Sequence, residues 1–148
     1  MIARVLRLPQ VWLAVCVAAG IGLGQLLPLS LPPILRVLGF LLFGAGAALM
    51  VWAAGTMRRA GTTFMPDQTP DHLVTRGPFA FSRNPIYLGD LLVLASLMLA
   101  LDCAAGLLMV PILGVILDRA FIRKEEETAA ARFGPLYDSY RARVRRWL

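Results

Sequence analysis

The sequence predicts an all-α integral membrane protein with about four transmembrane helices, both termini in the cytoplasm, and a C-terminal amphipathic helix on that face. Three observations carry this expectation. Of the 148 residues, 58% are hydrophobic and only 16% charged, where a soluble domain carries about a quarter charged residues, and the mean hydropathy is +0.69. The apolar residues gather into four stretches, Val11–Leu27, Ile34–Ala54, Ile86–Leu101 and Ala104–Leu117. The basic residues fall almost entirely before, between and after those stretches, on one side of the alternation.

A helix needs about 20 residues to cross ~30 Å of hydrocarbon. The first stretch meets this if Leu8 and Leu29 are included, and the second meets it alone, with Arg36 near its end where a long side chain can snorkel. The last two are short. They span only if the third begins near Asn84 and the fourth runs on to Ile122, which places Asp90, Asp118 and Arg119 near the membrane edge. Helices are favoured over strands because lipid offers no partner to an open strand edge.

With the N-terminus inside, fourteen of the fifteen Lys and Arg residues lie inside and only Arg36 lies outside. The outer loops, Pro28–Pro33 and Asp102–Cys103, carry no basic residue. This is the positive-inside pattern, and it places the +6 net charge at a membrane surface rather than on nucleic acid. Arg4, Arg7 and the apolar run after them also fit a signal peptide. The second span returns with the correct charge only if the first is retained, so retention is expected. Cys16 in mid-span and Cys103 at the outer edge are not expected to pair, and with a single histidine they make no metal site.

One domain is expected, with residues 1–56 as scaffold helices and 57–148 as a cofactor-binding loop, two further spans and a tail. In the scaffold, Gly20, Gly22 and Gly24, then Gly39, Gly44, Gly46 and Ala47, make smooth faces that let helices approach closely in lipid. Packing within the bundle is favoured over homodimerisation. The loop Met57–Asn84 is long enough to be functional, and Phe64, Leu73, Val74, Phe79 and Phe81 make it an ordered cap. After the fourth span, Arg123–Arg132 continues as helix until Phe133-Gly134-Pro135 breaks it. Leu136, Tyr140, Val144 and Leu148 then recur at helical spacing opposite Arg141, Arg143, Arg145 and Arg146. That pattern suits a helix lying on an anionic leaflet.

Two polar clusters meet at the inner face. One runs from Leu73 to Gly89 and includes Arg76-Gly77-Pro78-Phe79 and Arg83-Asn84-Pro85-Ile86-Tyr87-Leu88-Gly89. The other is Glu125-Glu126-Glu127 with Phe133-Gly134, Tyr137 and Tyr140. The short connection between the third and fourth spans makes them an antiparallel hairpin, so the two clusters can face one another.

This ordered set, from Asp71 to Leu148, resembles the isoprenylcysteine carboxyl methyltransferase and phospholipid methyltransferase family. The resemblance implies a methyltransferase that uses S-adenosylmethionine on a lipid or lipidated acceptor, in a pocket open to cytosol and to lipid. By position, Leu73, Val74 and Phe79 would line the cofactor. Asn84, Pro85, Ile86 and Tyr87 would form the pocket at the helix start, and Glu125 with Glu126 would bind its polar atoms. Arg83, Asn84 and Tyr87 are the residues expected nearest the reaction, and Arg119 and Arg123 those expected near the acceptor. Many members carry His where this chain has Asn84, and an amide cannot act as a base. The chain's small size suggests a bacterial inner membrane.

The chemistry of the residues agrees with this implication. The helix start at Asn84–Tyr87 has unpaired N–H groups and a positive dipole end suited to a carboxylate, and Arg83 adds a charged donor. Glu125 can accept from an ammonium or a ribose, and Asp118, seven residues earlier, is expected on the same helical face. Aromatic residues at 79, 81 and 87 suit adenine or a sulfonium. His72 is the only histidine. Two alternatives from other classes are a membrane reductase using a nicotinamide cofactor and a non-catalytic membrane module.

Overall fold

Four of the helices begin on a proline, the residue whose missing N–H costs nothing at a first helical position. They are α1 (Pro9–Leu26), α2 (Pro33–Arg59), α3 (Pro85–Ala100) and, at the end of the chain, α6 (Pro135–Arg143). Between α3 and α6 a rod runs from Ala104 to Phe133. It starts as a 3₁₀ turn (Ala104–Leu108), becomes α4 (Met109–Leu117), passes through a π-helical turn (Asp118–Ile122) and continues as α5 (Arg123–Phe133). The structure, a computed structural model, describes residues 8–62 and 71–148. Arg4, Arg7 and, in the loop, Thr63, Phe64, Pro66, Asp67 and Pro70 lie outside the described residues.

All regular structure among the described residues is helical. Three helices are long and apolar enough to cross a membrane: α1 with 18 residues, α2 with 27 and the rod with 30. The fourth expected span, α3, has 16 residues, or about 24 Å at 1.5 Å per residue, short of the hydrocarbon thickness. It is nevertheless the central helix. It packs along α2 and also meets α1 and α4, and Tyr87, Asp90, Leu94, Ser96, Met98 and Leu99 are all buried on it.

Close packing depends on the glycines the sequence singled out, but only on some of them. A Cβ on Gly39 would lie 2.9 Å from the Ser96 carbonyl, and one on Gly46 would lie 3.2 Å from the Gly89 carbonyl, so α2 meets α3 along a seven-residue repeat. Gly20 and Gly24 bring α1 against Met98 and Cys103. Gly22 and Gly44 face open space. Internal packing is therefore what four of these six glycines do.

At the end of the bundle away from the polar clusters, Asp102 ties the two short loops together. It adopts a left-handed conformation with φ 59°, tolerable for Asp because its short side chain bonds locally. Its carboxylate accepts the Leu31 N–H at 2.7 Å and Arg36 Nη2 at 2.6 Å. These two bonds hold it below the usual carboxylate range, the backbone donor more than the arginine. Arg36, expected only to snorkel, is thus ion-paired.

The tail departs from its expected pattern. The chain breaks at Gly134, with φ 50°, but α6 ends at Arg143 and buries Tyr137 and Tyr140. Leu136 and Leu148 stay exposed. The helix packs Tyr137, Tyr140 and Val144 against Leu73, Ala129, Ala130 and Phe133 because the two tyrosines, three apart, find an apolar surface on the protein itself. Its buried stripe is therefore rotated from the one that would rest on a leaflet.

Candidate functional site

Pro85 fixes the first turn of α3 and leaves Ser82, Arg83 and Asn84 in non-helical backbone just before it. That turn carries Tyr87 toward the start of α5, where its hydroxyl donates to Glu125 Oε1 at 2.6 Å. Bonds to a carboxylate are short and strong in this way. One residue on, Glu126 accepts from Arg83 Nη2 at 3.0 Å and from Arg146 Nη2 at 2.6 Å. Arg146 Nη1 also reaches Asp118 Oδ1 at 2.8 Å, and Arg123 Nε holds the other Asp118 oxygen at 2.8 Å.

The π-helical turn sets this arrangement. A π turn inserts an extra residue into the α register, so the face-sharing interval across it lengthens from seven to eight. Asp118 therefore shares its partner with Glu126, not with Glu125 as unbroken α geometry requires, and Arg123 meets Asp118 at an interval of five. Glu125 is turned instead to Tyr87.

The C-terminal tail completes the wall. The Arg145 carbonyl accepts the Arg83 N–H at 3.0 Å. The Arg146 carbonyl accepts from Asn84 Nδ2 at 3.1 Å and Ser82 Oγ at 3.3 Å, and Trp147 packs on the apolar core that holds Tyr87 and Phe121. The Tyr140 hydroxyl donates to the Phe79 carbonyl at 2.7 Å. Burial pushes the Tyr140 phenol well above its ordinary pKa. It also raises Tyr137, with the Glu126 charge adding to the effect. The hydrogen bond from Arg146 to Glu126 raises the guanidinium further.

Of the residues expected at the site, Arg83, Tyr87, Glu125 and Glu126 are brought together. Asn84 is buried beside them, but its amide group is used to hold the tail. Pro85 and Phe79 are buried, Val74 and Ile86 half-buried, and Leu73 packs with the tail tyrosines. Arg119 and His72 are exposed, and Arg123 is exposed and paired with Asp118. A cleft of about 270 Å³ opens beside the cluster, lined by Arg123, Glu126, Glu127, Ala130, Tyr137, Arg141 and Arg146. Its volume lies at the small end of small-molecule sites, which run from ~300 Å³ upward.

Two residues here were not picked out from the sequence. Arg146 looks like any member of a basic tail, and nothing local marks it as the partner of an acid twenty positions away. Asp90 did carry a signal, a lone acid inside an apolar run, but was placed at the membrane edge. It is fully buried, and its two carboxylate oxygens, with Arg83 Nε, are the buried side-chain polar atoms without a hydrogen-bond partner among the described residues.

Compared with known proteins, the chain matches the phospholipid methyltransferase family over residues 34–135. No curated protein and no solved structure gives a significant match. The matched region runs from the start of α2 through the Tyr87–Glu125 pair to the break before α6, more than half of the chain, and the protein belongs to the phospholipid methyltransferase family.

Proposed function

We propose that this membrane methyltransferase uses S-adenosylmethionine to methylate a membrane-embedded or amphiphilic acceptor, such as a lipid amine, a thiol or an isoprenylcysteine-like carboxylate, at the cytoplasmic face. The observation that carries the reading is the convergence of two separate motifs, with Tyr87 on Glu125 at 2.6 Å and Arg83 on Glu126 at 3.0 Å. Motifs 38 residues apart that meet through charge-assisted bonds form an organised polar site at the end of an apolar bundle.

The residues present fit such a cofactor. Arg83 Nε is a buried donor with no partner among the described residues, suited to a carboxylate. Glu125 and Glu126 accept from ammonium or hydroxyl groups, and Phe79 and Tyr87 offer aromatic surface. When bound, adenosylmethionine supplies a methyl group already activated on a sulfonium. The chain's own task is then to hold and orient the ligands and to keep water out. The tail performs the last of these, because Trp147 and the Arg145–Arg146 backbone cover the start of α3.

The test is adenosylmethionine binding by the purified protein in detergent and in nanodiscs, comparing wild type with Glu125→Gln. Saturable binding that the substitution weakens tenfold or more, about 1.4 kcal/mol, is expected. Failure of a well-folded wild type to bind in both settings would falsify the reading, and nicotinamide cofactors would be tried next.

A further inference from the structure

Asp90 lies one helical turn beyond Tyr87 on α3, about 4.5 Å further along the axis, with Leu94 one turn beyond it. Tyr87 and Leu94 both belong to the apolar core formed with Leu113, Leu117, Phe121 and Ile122. Asp90 is 0% exposed, as are Leu94 and Leu117. Neither of its oxygens has a hydrogen-bond partner among the described residues. Isolating an ionised carboxylate in this way costs several kcal/mol unless a cation or a proton answers it, and intramembrane acids usually face a partner or a ligand path.

The basic groups of the charged cluster are paired with other acids. Arg83 and Arg146 hold Glu126, and Arg146 and Arg123 hold Asp118. The remaining orphan, Arg83 Nε, lies four residues before Tyr87, and Asp90 lies three after it. Along the chain, a donor and an acceptor of opposite charge thus stand on either side of the tyrosine that Glu125 holds, the donor just before the helix and the acceptor one turn into it.

We propose that Asp90 is the buried counter-ion for a cationic group, an ammonium or a sulfonium, of a ligand bound at the Tyr87–Glu125 site; this rests on the methyltransferase reading. The sequence leaves two sources for that cation. It belongs either to the cofactor or to an amine-bearing lipid that enters from the bilayer beside α3. In both cases the carboxylate acts by binding charge where water is excluded and its effect is largest.

The full chain in nanodiscs free of amine lipid separates the sources. Affinities for S-adenosylmethionine, for S-adenosylhomocysteine (which lacks the sulfonium charge) and for short-chain phosphatidylethanolamine are measured for wild type, Asp90→Asn and Asp90→Ser. A loss of tenfold or more is expected for at least one of them. Loss for adenosylmethionine alone assigns the sulfonium, loss for both nucleosides assigns the cofactor's ammonium, and loss for the lipid alone assigns the acceptor.

Labelling of wild-type Asp90 by a hydrophobic carbodiimide, read by mass spectrometry, gives a measure independent of any variant's folding, and the cation-bearing ligand is expected to slow it. Affinities within twofold of wild type for all three ligands, or labelling indifferent to saturating ligand, overturns the proposal while leaving the methyltransferase reading intact. A wild type that binds none of the three removes both.

Discussion

Tyr140 shows how a single hydroxyl can hold a tail in place. Its donation to the Phe79 carbonyl at 2.7 Å fixes α6 against the loop that precedes α3. Losing it leaves a buried carbonyl unsatisfied, a cost of about 1–3 kcal/mol. Burial raises the phenol's pKa in the folded state. Its contribution is therefore complete below the ordinary tyrosine value of ~10 and is lost as pH rises from there through the folded value. Tyr140→Phe is expected to lower stability at neutral pH and to flatten its decline above pH ~10, measured by denaturation in detergent across that range. An unchanged alkaline limb would show that Tyr140 does not control it. Asn84 carries a related lesson. In place of the histidine common in its family, the chain has an amide that donates to the Arg146 carbonyl at 3.1 Å, so this position ties the tail to the helix start.

Among the elements, the α2–α3 contact and the π turn matter most. Gly46 lets α2 approach so closely that a Cβ there meets Leu92 Cβ at 3.0 Å and the Gly89 carbonyl at 3.2 Å. Since the obstacle is partly backbone, Gly46→Leu is expected to cost roughly 1–3 kcal/mol, as overpacking does. Gly44→Leu, two residues away and facing open space, is expected to be near neutral. Thermal denaturation of the pair checks this, and equal melting temperatures would contradict the packing. The π turn at Asp118–Ile122 decides which acid faces which partner. No pattern of residue types announced it, because a π turn depends on the packing of neighbouring helices more than on local preference.

For the whole molecule, the proposed cytoplasmic site requires both termini inside. A C-terminal fluorescent-protein fusion is expected to fluoresce in bacterial cells, and an alkaline phosphatase fusion at the same point is expected to be inactive. The opposite result would invert the topology. At the far end, Asp102 joins both short loops through Leu31 and Arg36, so the bundle is fastened at one end by a single carboxylate and at the other by the charged cluster of the site.

The sequence by itself determined the helical membrane class and the approximate extent of its apolar helices, and it singled out Arg83, Tyr87, Glu125 and Glu126, which the structure finds together. Apolar length and basic asymmetry are local or additive properties that need no partner to be read. Arg83, Tyr87, Glu125 and Glu126 were legible because each sits in a compact motif, and the hairpin joining them is short. Only the tertiary structure decided that Asp118 shares Arg146 with Glu126, that α6 buries its tyrosines in the protein and that Asp90 is enclosed without a hydrogen-bond partner among the described residues. Each of these depends on the angle at which helices meet or on contacts between distant residues. A helix face is indifferent to its neighbour until packing chooses one, and a charge is costly or cheap only once its surroundings are set.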